Sequence, residues 1–148
     1  MSGPATSTGD GCVFCAIAAG EAEASVVHED DEVIAFLDLH PVTPGHLLVV
    51  PKRHSVGLDD TDPDTGRRVW SVAHDLARAL RRSSLRTDGV NLLLCDGAAA
   101  FQTVLHLHLH VVPRFEGDGG ELMFPIGPAH DRALLERDAQ AIREALAP

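Results

Sequence analysis

An α+β domain on a mostly antiparallel five-stranded sheet with two main helices is what this sequence predicts, on three observations. Five short apolar runs have the length of strands, two longer segments repeat apolar residues at helical spacing, and the early runs follow one another closely enough to pair as hairpins. The 148 residues suit one domain, and a composition that is 45% hydrophobic and 23% charged is that of a folded chain without repeats.

The elements follow in order. Residues 1–11 (MSGPATSTGDG) are small and polar and read as a disordered tail. A short helical turn begins near Val13 and stops at Gly20, which suits a helix C-terminus. Ser25–Glu29 and Val33–Leu37 flank Asp30-Asp31 and predict a hairpin. Pro41 and Pro44-Gly45 break the chain before a third run, His46–Val50, closed by Pro51.

Asp62–Arg82 predicts the best helix. Asp62 is placed to cap it and Pro63 fits its first position, where no amide donor is missed. Val69, Val72, Ala73, Leu76 and Leu80 form one apolar stripe, while Asp62 and Asp64 at the start and Arg78, Arg81 and Arg82 at the end complement the helix dipole. Gly89–Cys95 reads as a buried strand, and Val104–Val112 as another, ended by Pro113. A second amphipathic helix is expected over Asp131–Ala147, with Leu134, Leu135, Ala139, Ile142 and Leu146 along one side and Asp138 interrupting them. No linker interrupts residues 12–148, which read as a single domain.

The net charge is −10, from 22 acidic and 12 basic residues. Such a field repels nucleic acid and anionic membranes, but local donors can still hold a small phosphate ester. No window approaches the ~18 apolar residues of a membrane span, and the first residues lack the features of a secretory signal. Three cysteines (Cys12, Cys15 and Cys95) argue against a disulfide framework, so a cytoplasmic location is expected.

Chemistry concentrates in Gln102–Arg114, QTVLHLHLHVVPR. His106, His108 and His110 alternate with Leu107, Leu109 and Val111, so a strand would project all three imidazoles from one face, ~6.6–7 Å apart in succession. Three readings are open for them: hydrogen-bonded histidines on a partly exposed face, zinc ligands, or a neutral imidazole attacking phosphorus while its neighbours manage protons. Cys12-x-x-Cys15 has metal-ligand spacing and would hold zinc if two histidines lay nearby. A redox pair or unligated thiols are its other readings.

HLHLHVV, with CVFCAIAAGE, HEDDEVIAFLDLHPVTPGHLLVVPKRH and DGAAAFQTV upstream, resembles the histidine-triad (HIT) family of nucleotide-binding hydrolases and transferases over residues 12–115. The resemblance implies His108 as the nucleophile that attacks an α-phosphate, and His110 as the group that orients phosphate or holds a proton beside it. His46, in Pro44-Gly45-His46, would support the triad from a neighbouring strand. Gln102 and Thr103 would donate to phosphate, Asp38 would take the ribose hydroxyls, and Ile17, Phe36 and Leu39 would wall the base.

Two positions depart from the pattern: Cys95 stands where the family usually has a sugar-contacting Asn, and Phe101 where Gly commonly precedes the Gln. Members with a CxxC pair it with the equivalents of His54 and His106, implying a structural Cys₂His₂ zinc site with Cys12 and Cys15. The resemblance further implies a homodimer that joins two five-stranded sheets. His28, His40, His74 and His130 have no comparable context and read as surface or loop residues. The activity expected is cleavage at the α-phosphate of purine nucleotide derivatives, adenosine phosphoramidates or dinucleoside polyphosphates, with AMP released. A nucleotide-binding module with negligible turnover is the alternative, and a catalytic zinc hydrolase a third reading.

Overall fold

Apolar alternation builds the sheet, and the sheet positions everything else. A computed structural model describes residues 11–121 and 125–146. Residues 1–10 of the expected tail, and Ala147 at the end of the expected last helix, lie outside the described residues. The strands are β1 (Val26–Glu29), β2 (Val33–Leu37), β3 (Leu47–Pro51), β4 (Gly89–Leu94) and β5 (Leu109–Arg114). The helices are α1 (Val13–Ala18), α2 (Pro63–Arg82) and α3 (Arg132–Leu146), with one 3₁₀ turn at Ala98–Ala100. The sheet order is β1-β2-β3-β5-β4, and every neighbouring pair is antiparallel. The last strand in sequence thus enters the middle of the sheet, between β3 and β4.

Period-two alternation sends side chains to two faces. Val33, Ala35, Leu47, Val49, Leu109 and Val111 meet Val69, Val72, Ala73 and Leu80 of α2. Ile34, Phe36, Leu48 and Val50 point the other way and pack with Phe14 of α1. Fully burying one such Val, Leu or Phe is worth about 1.5–3 kcal/mol, so the two clusters fix the sheet between its two packed sides. The α2 stripe lies where its spacing predicted, and the Asp62 side chain caps the helix by accepting from the Asp64 amide (2.8 Å).

Asp30 ties the hairpin tip to that helix. It accepts from the amides of Glu32 and Val33 (2.8 and 2.9 Å) and from Arg68 of α2 (2.8 Å), with His28 at 2.7 Å. Burial alone would raise its pKa, but these donors hold it well below the usual carboxylate range.

Three expectations need correction. The strand expected at Val104–Val112 starts only at Leu109 and continues through Pro113 to Arg114. Ahead of Leu109 the chain finds no ladder partner: β3 pairs only Leu47–Val49 with it, and the Leu107 amide donates to the Ser55 carbonyl instead (2.7 Å). Pro113 interrupts no ladder bond, because it lies beyond the last β3 pair, where its carbonyl accepts from Thr43 Oγ1 (2.6 Å). Secondly, β4 is an edge strand whose residues are mostly half-buried rather than a buried one. Thirdly, α3 forms as expected, yet none of its described residues is buried, and neither apolar cluster includes one of them. Among the described residues no helix is long and apolar enough to cross a membrane.

Candidate functional site

Strand β5 sends Leu109 and Val111 into the α2 cluster, so His110 between them faces the α1 side, opposite Leu48. His106 and His108 precede the strand yet reach the same side. Phe14 of α1 lies edge-on to both, with ring centroids 5.9 and 5.2 Å away. The rings of His108 and His110 are 4.9 Å apart, closer than the spacing of a fully extended strand because the chain leaves the sheet between them.

Hydrogen bonds to backbone atoms assign the protons. His108 Nδ1 lies 2.8 Å from the His106 carbonyl, which can only accept, so Nδ1 carries the proton and neutral His108 keeps its lone pair on Nε2. The Val42 amide donates to His46 Nδ1 (3.0 Å), so neutral His46 carries its proton on Nε2 and donates it to His110 Nδ1 (2.9 Å). Neutral His110 therefore carries its proton on Nε2. Burial lowers the pKa of both rings against the opposing charge of Asp38, and His110, with His108 and His46 adding to the effect, falls to about 4. At neutral pH the pair is uncharged.

Gly45 precedes His46 in a conformation and a space that favour glycine. Its φ is +97°, and a Cβ there would lie 2.9 Å from Leu85 Cδ1 and 3.2 Å from Leu80 Cδ2. Gly45→Ala is expected to cost about 2–3 kcal/mol, read as a lower denaturant midpoint with unchanged slope, because both the backbone and the space oppose a methyl.

The remaining residues singled out from sequence fall in several environments. Asp38 follows β2, accepts from the His40 amide (2.9 Å) and places Oδ2 3.5 Å from His46 Nε2. Gln102 is 7% exposed, and its amide ties its own loop to the loop after β3: Oε1 accepts from Gly97 N (2.8 Å), while Nε2 donates to the carbonyls of Val56 (2.7 Å) and Val104 (3.1 Å). Thr103 beside it is exposed. Phe101 adopts the left-handed conformation (φ 68°) with 84% of its surface exposed, at the end of the loop that Gln102 clamps. Leu39 is 86% exposed and Ile17 half-buried, whereas Phe36 is 3% exposed and packs edge-on against Phe14 (5.4 Å). Cys95 is half-buried, one residue past β4.

Sequence reading missed the Val42 amide, the His106 carbonyl and Phe14 as partners of the site. Backbone donors and acceptors leave no residue signature. Phe14 had one available, its place between the two cysteines.

Cys12, Cys15, His54 and His106 converge from α1, the loop after β3 and the segment before β5. His106 Nδ1 lies 3.3 Å from Cys12 Sγ, 3.4 Å from Cys15 Sγ and 3.2 Å from His54 Nδ1, and Cys15 Sγ lies 3.3 Å from His54 Nδ1. Bonds of about 2.0–2.3 Å to one tetrahedral ion require edges of roughly 3.3–3.8 Å, so the donors fit such an ion. His106 Nε2 donates to the Pro51 carbonyl (2.8 Å), which leaves Nδ1 as the ligating atom, and the Cys15 amide donates to Cys12 Sγ (3.4 Å). Without a cation, burial and the neighbouring Cys12 push the Cys15 thiol up to about 11. Asp38, His46 and His110 also lie close together, but the Val42 amide occupies His46 Nδ1 and leaves a proton, not a lone pair, on Nε2. In that second cluster a hydrogen bond joins His46 to His110, and Asp38 stands beside the pair as a nearby charge.

Comparison with known proteins points one way. A family model described as the HIT domain matches residues 19–117. An uncharacterised HIT-like protein of Mycobacterium tuberculosis is 50% identical over 107 residues, covering 72% of this chain and 74% of that protein. The crystal structure of a zinc-bound histidine triad family protein from Mycobacterium smegmatis superposes with a TM-score of 0.72 at 46% identity, over 93% of this chain and 98% of that one. An adenylylsulfatase of Arabidopsis thaliana is 37% identical over 107 residues, covering 72% of this chain and 54% of that protein.

Proposed function

This chain belongs to the HIT domain family, and on that premise we propose that it cleaves purine nucleotide derivatives at the α-phosphate and releases AMP. The observation that carries the reading is the His108 tautomer: with Nδ1–H given to the His106 carbonyl, Nε2 is the lone pair available to attack phosphorus. The Nε2–phosphorus bond forms as the bond to the leaving group breaks, and the leaving group departs with that electron pair. Water then attacks the nucleotidyl-imidazole, restoring His108 and forming AMP. The likeness to an adenylylsulfatase supports an adenylyl group as the unit transferred.

Other residues position the substrate. His110 Nε2–H and the Thr103 hydroxyl donate to non-bridging phosphate oxygens, where they stabilise charge as it shifts. Gln102 serves by holding the loop rather than by touching phosphate, since its amide is already satisfied. Asp38 takes the ribose hydroxyls, and Ile17 and Leu39 offer apolar surface to the base.

Cys12, Cys15, His54 and His106 would hold zinc in a closed Cys₂His₂ set, whose role is structural because no open position remains for water. Likeness to a zinc-bound relative supports this assignment. The carbonyl of His106 also fixes the His108 tautomer, so the metal centre steadies the nucleophile through one shared residue. Among the described residues β4 has no strand on its outer edge, and a second copy would extend the sheet there.

The test is AMP release from adenosine 5′-phosphoramidate, a diadenosine polyphosphate and adenylyl sulfate. AMP formed from any of them well above the uncatalysed rate is the expected result, and the preferred compound identifies the leaving group. Binding of AMP with no turnover of any of the three would make the protein a nucleotide-binding module instead.

A further inference from the structure

Asp38 is held between two tasks. Its amide donates to the His46 carbonyl (2.9 Å), its Oδ1 accepts from the His40 amide (2.9 Å), and its Oδ2 stands 3.5 Å from His46 Nε2. That nitrogen carries the His46 proton, because the Val42 amide occupies Nδ1. The proton therefore has two acceptors within reach: His110 Nδ1 at 2.9 Å and the carboxylate at 3.5 Å. The longer separation is too great for a good hydrogen bond, so the imidazole takes the proton and the carboxylate acts through its charge. Charge at this range is effective because His46 is buried.

Among the described residues, few groups face the pair. His46 meets Asp38 from the end of β2, His110 from β5 and the Val42 amide from the preceding loop. His110 meets His46 and His108. Burial and the neighbouring imidazoles push the pair toward neutrality, and Asp38 is the group that opposes them.

We propose that Asp38 is a positioning residue that couples sugar recognition to the His46–His110 pair. This rests on the nucleotide reading above and gives the residue assigned there to the ribose hydroxyls a second role. Sugar hydroxyls donate to the carboxylate, spread its charge and leave the His46 proton wholly to His110. His110 then keeps its own proton on Nε2, the atom that meets phosphate. A nucleotide without those hydroxyls leaves the carboxylate's charge intact and the pair easier to protonate. By linkage, protonation of the pair and binding of the sugar oppose each other to the same extent.

The experiment is a histidine-selective NMR titration of the zinc-loaded full chain, wild type and Asp38→Asn, each free, with saturating AMP, and with saturating 2′,3′-dideoxy-AMP. In the free protein, Asp38→Asn should move the His46 and His110 titrations to lower pH by about one unit. In the wild type the two nucleotides should leave the pair with different titration midpoints; in Asp38→Asn they should act alike. An unchanged titration in the free variant overturns the proposal, and so does a difference between the nucleotides that survives in the variant. Asparagine keeps an acceptor for the His40 amide, so the variant should fold. Should it not, the wild-type comparison decides, and equal effects of the two nucleotides overturn the coupling. If the wild type binds neither nucleotide, the nucleotide reading fails and the sugar coupling with it, whereas the free-protein titration still decides the effect of the carboxylate on the pair.

Discussion

His108→Asn should reduce AMP release by at least about 10³-fold while the protein stays folded, because the substitution removes the lone pair that attacks phosphorus. Asparagine is preferable to alanine here. His108 is buried and its ring packs edge-on against Phe14 at 5.2 Å, so alanine would leave a cavity costing about 2 kcal/mol or more. The asparagine amide can still donate to the His106 carbonyl and keep the segment ahead of β5 in place. Wild-type protein quenched in alkali during turnover should carry one adenylyl group, seen by mass spectrometry and missing from the variant. Turnover within about tenfold of wild type would sink the covalent route. A rate loss with the adenylyl group still attached would move the nucleophile to another side chain.

Removing the metal should have the largest effect on stability. The four candidate ligands join α1, the loop after β3 and the segment before β5, so one ion there would tie three separate parts of the chain at a single point. With free zinc about 1,000-fold above its dissociation constant, the bound ion contributes about 4 kcal/mol, which a chelator or Cys15→Ser should remove. Metal analysis should find one zinc per chain in the wild type and none in Cys15→Ser, and the thermal midpoint should fall in parallel. Cys95→Ser is the control, since Cys95 lies outside the cluster, and it should keep both the metal and the midpoint. Chelation should slow AMP release only as far as the fold loosens. Complete loss of turnover with an unchanged circular dichroism spectrum would instead make the ion catalytic and overturn the structural role.

Local elements were legible where the signal is local. Asp62-Pro63 marks the start of α2 and Arg81-Arg82 its last turn, because capping and dipole effects depend on nearest neighbours. The hairpin of β1 and β2 was legible for the same reason: Asp30 makes its turn bonds to Glu32 and Val33. The run HLHLHVV misled about extent, since alternation can suit a strand but cannot supply its partner, and β3 offers one only from Leu109 onward. The apolar β4 run read as buried because composition does not say which strand lies at an edge. In α3 the stripe was legible, but whether it meets a core was not.

The candidate site divides in the same way. By itself the sequence marked the candidate groups: three histidines in alternation and a CxxC pair through residue type and spacing, and His46 and Asp38 through a family resemblance. Only the tertiary structure decided which nitrogen of each imidazole holds the proton. His46 and His110 are 64 residues apart, and their tautomers depend on the Val42 amide and on each other. A ring's proton goes to whichever partner the fold brings within about 3 Å, and that distance is a property of packing rather than of the residues in turn.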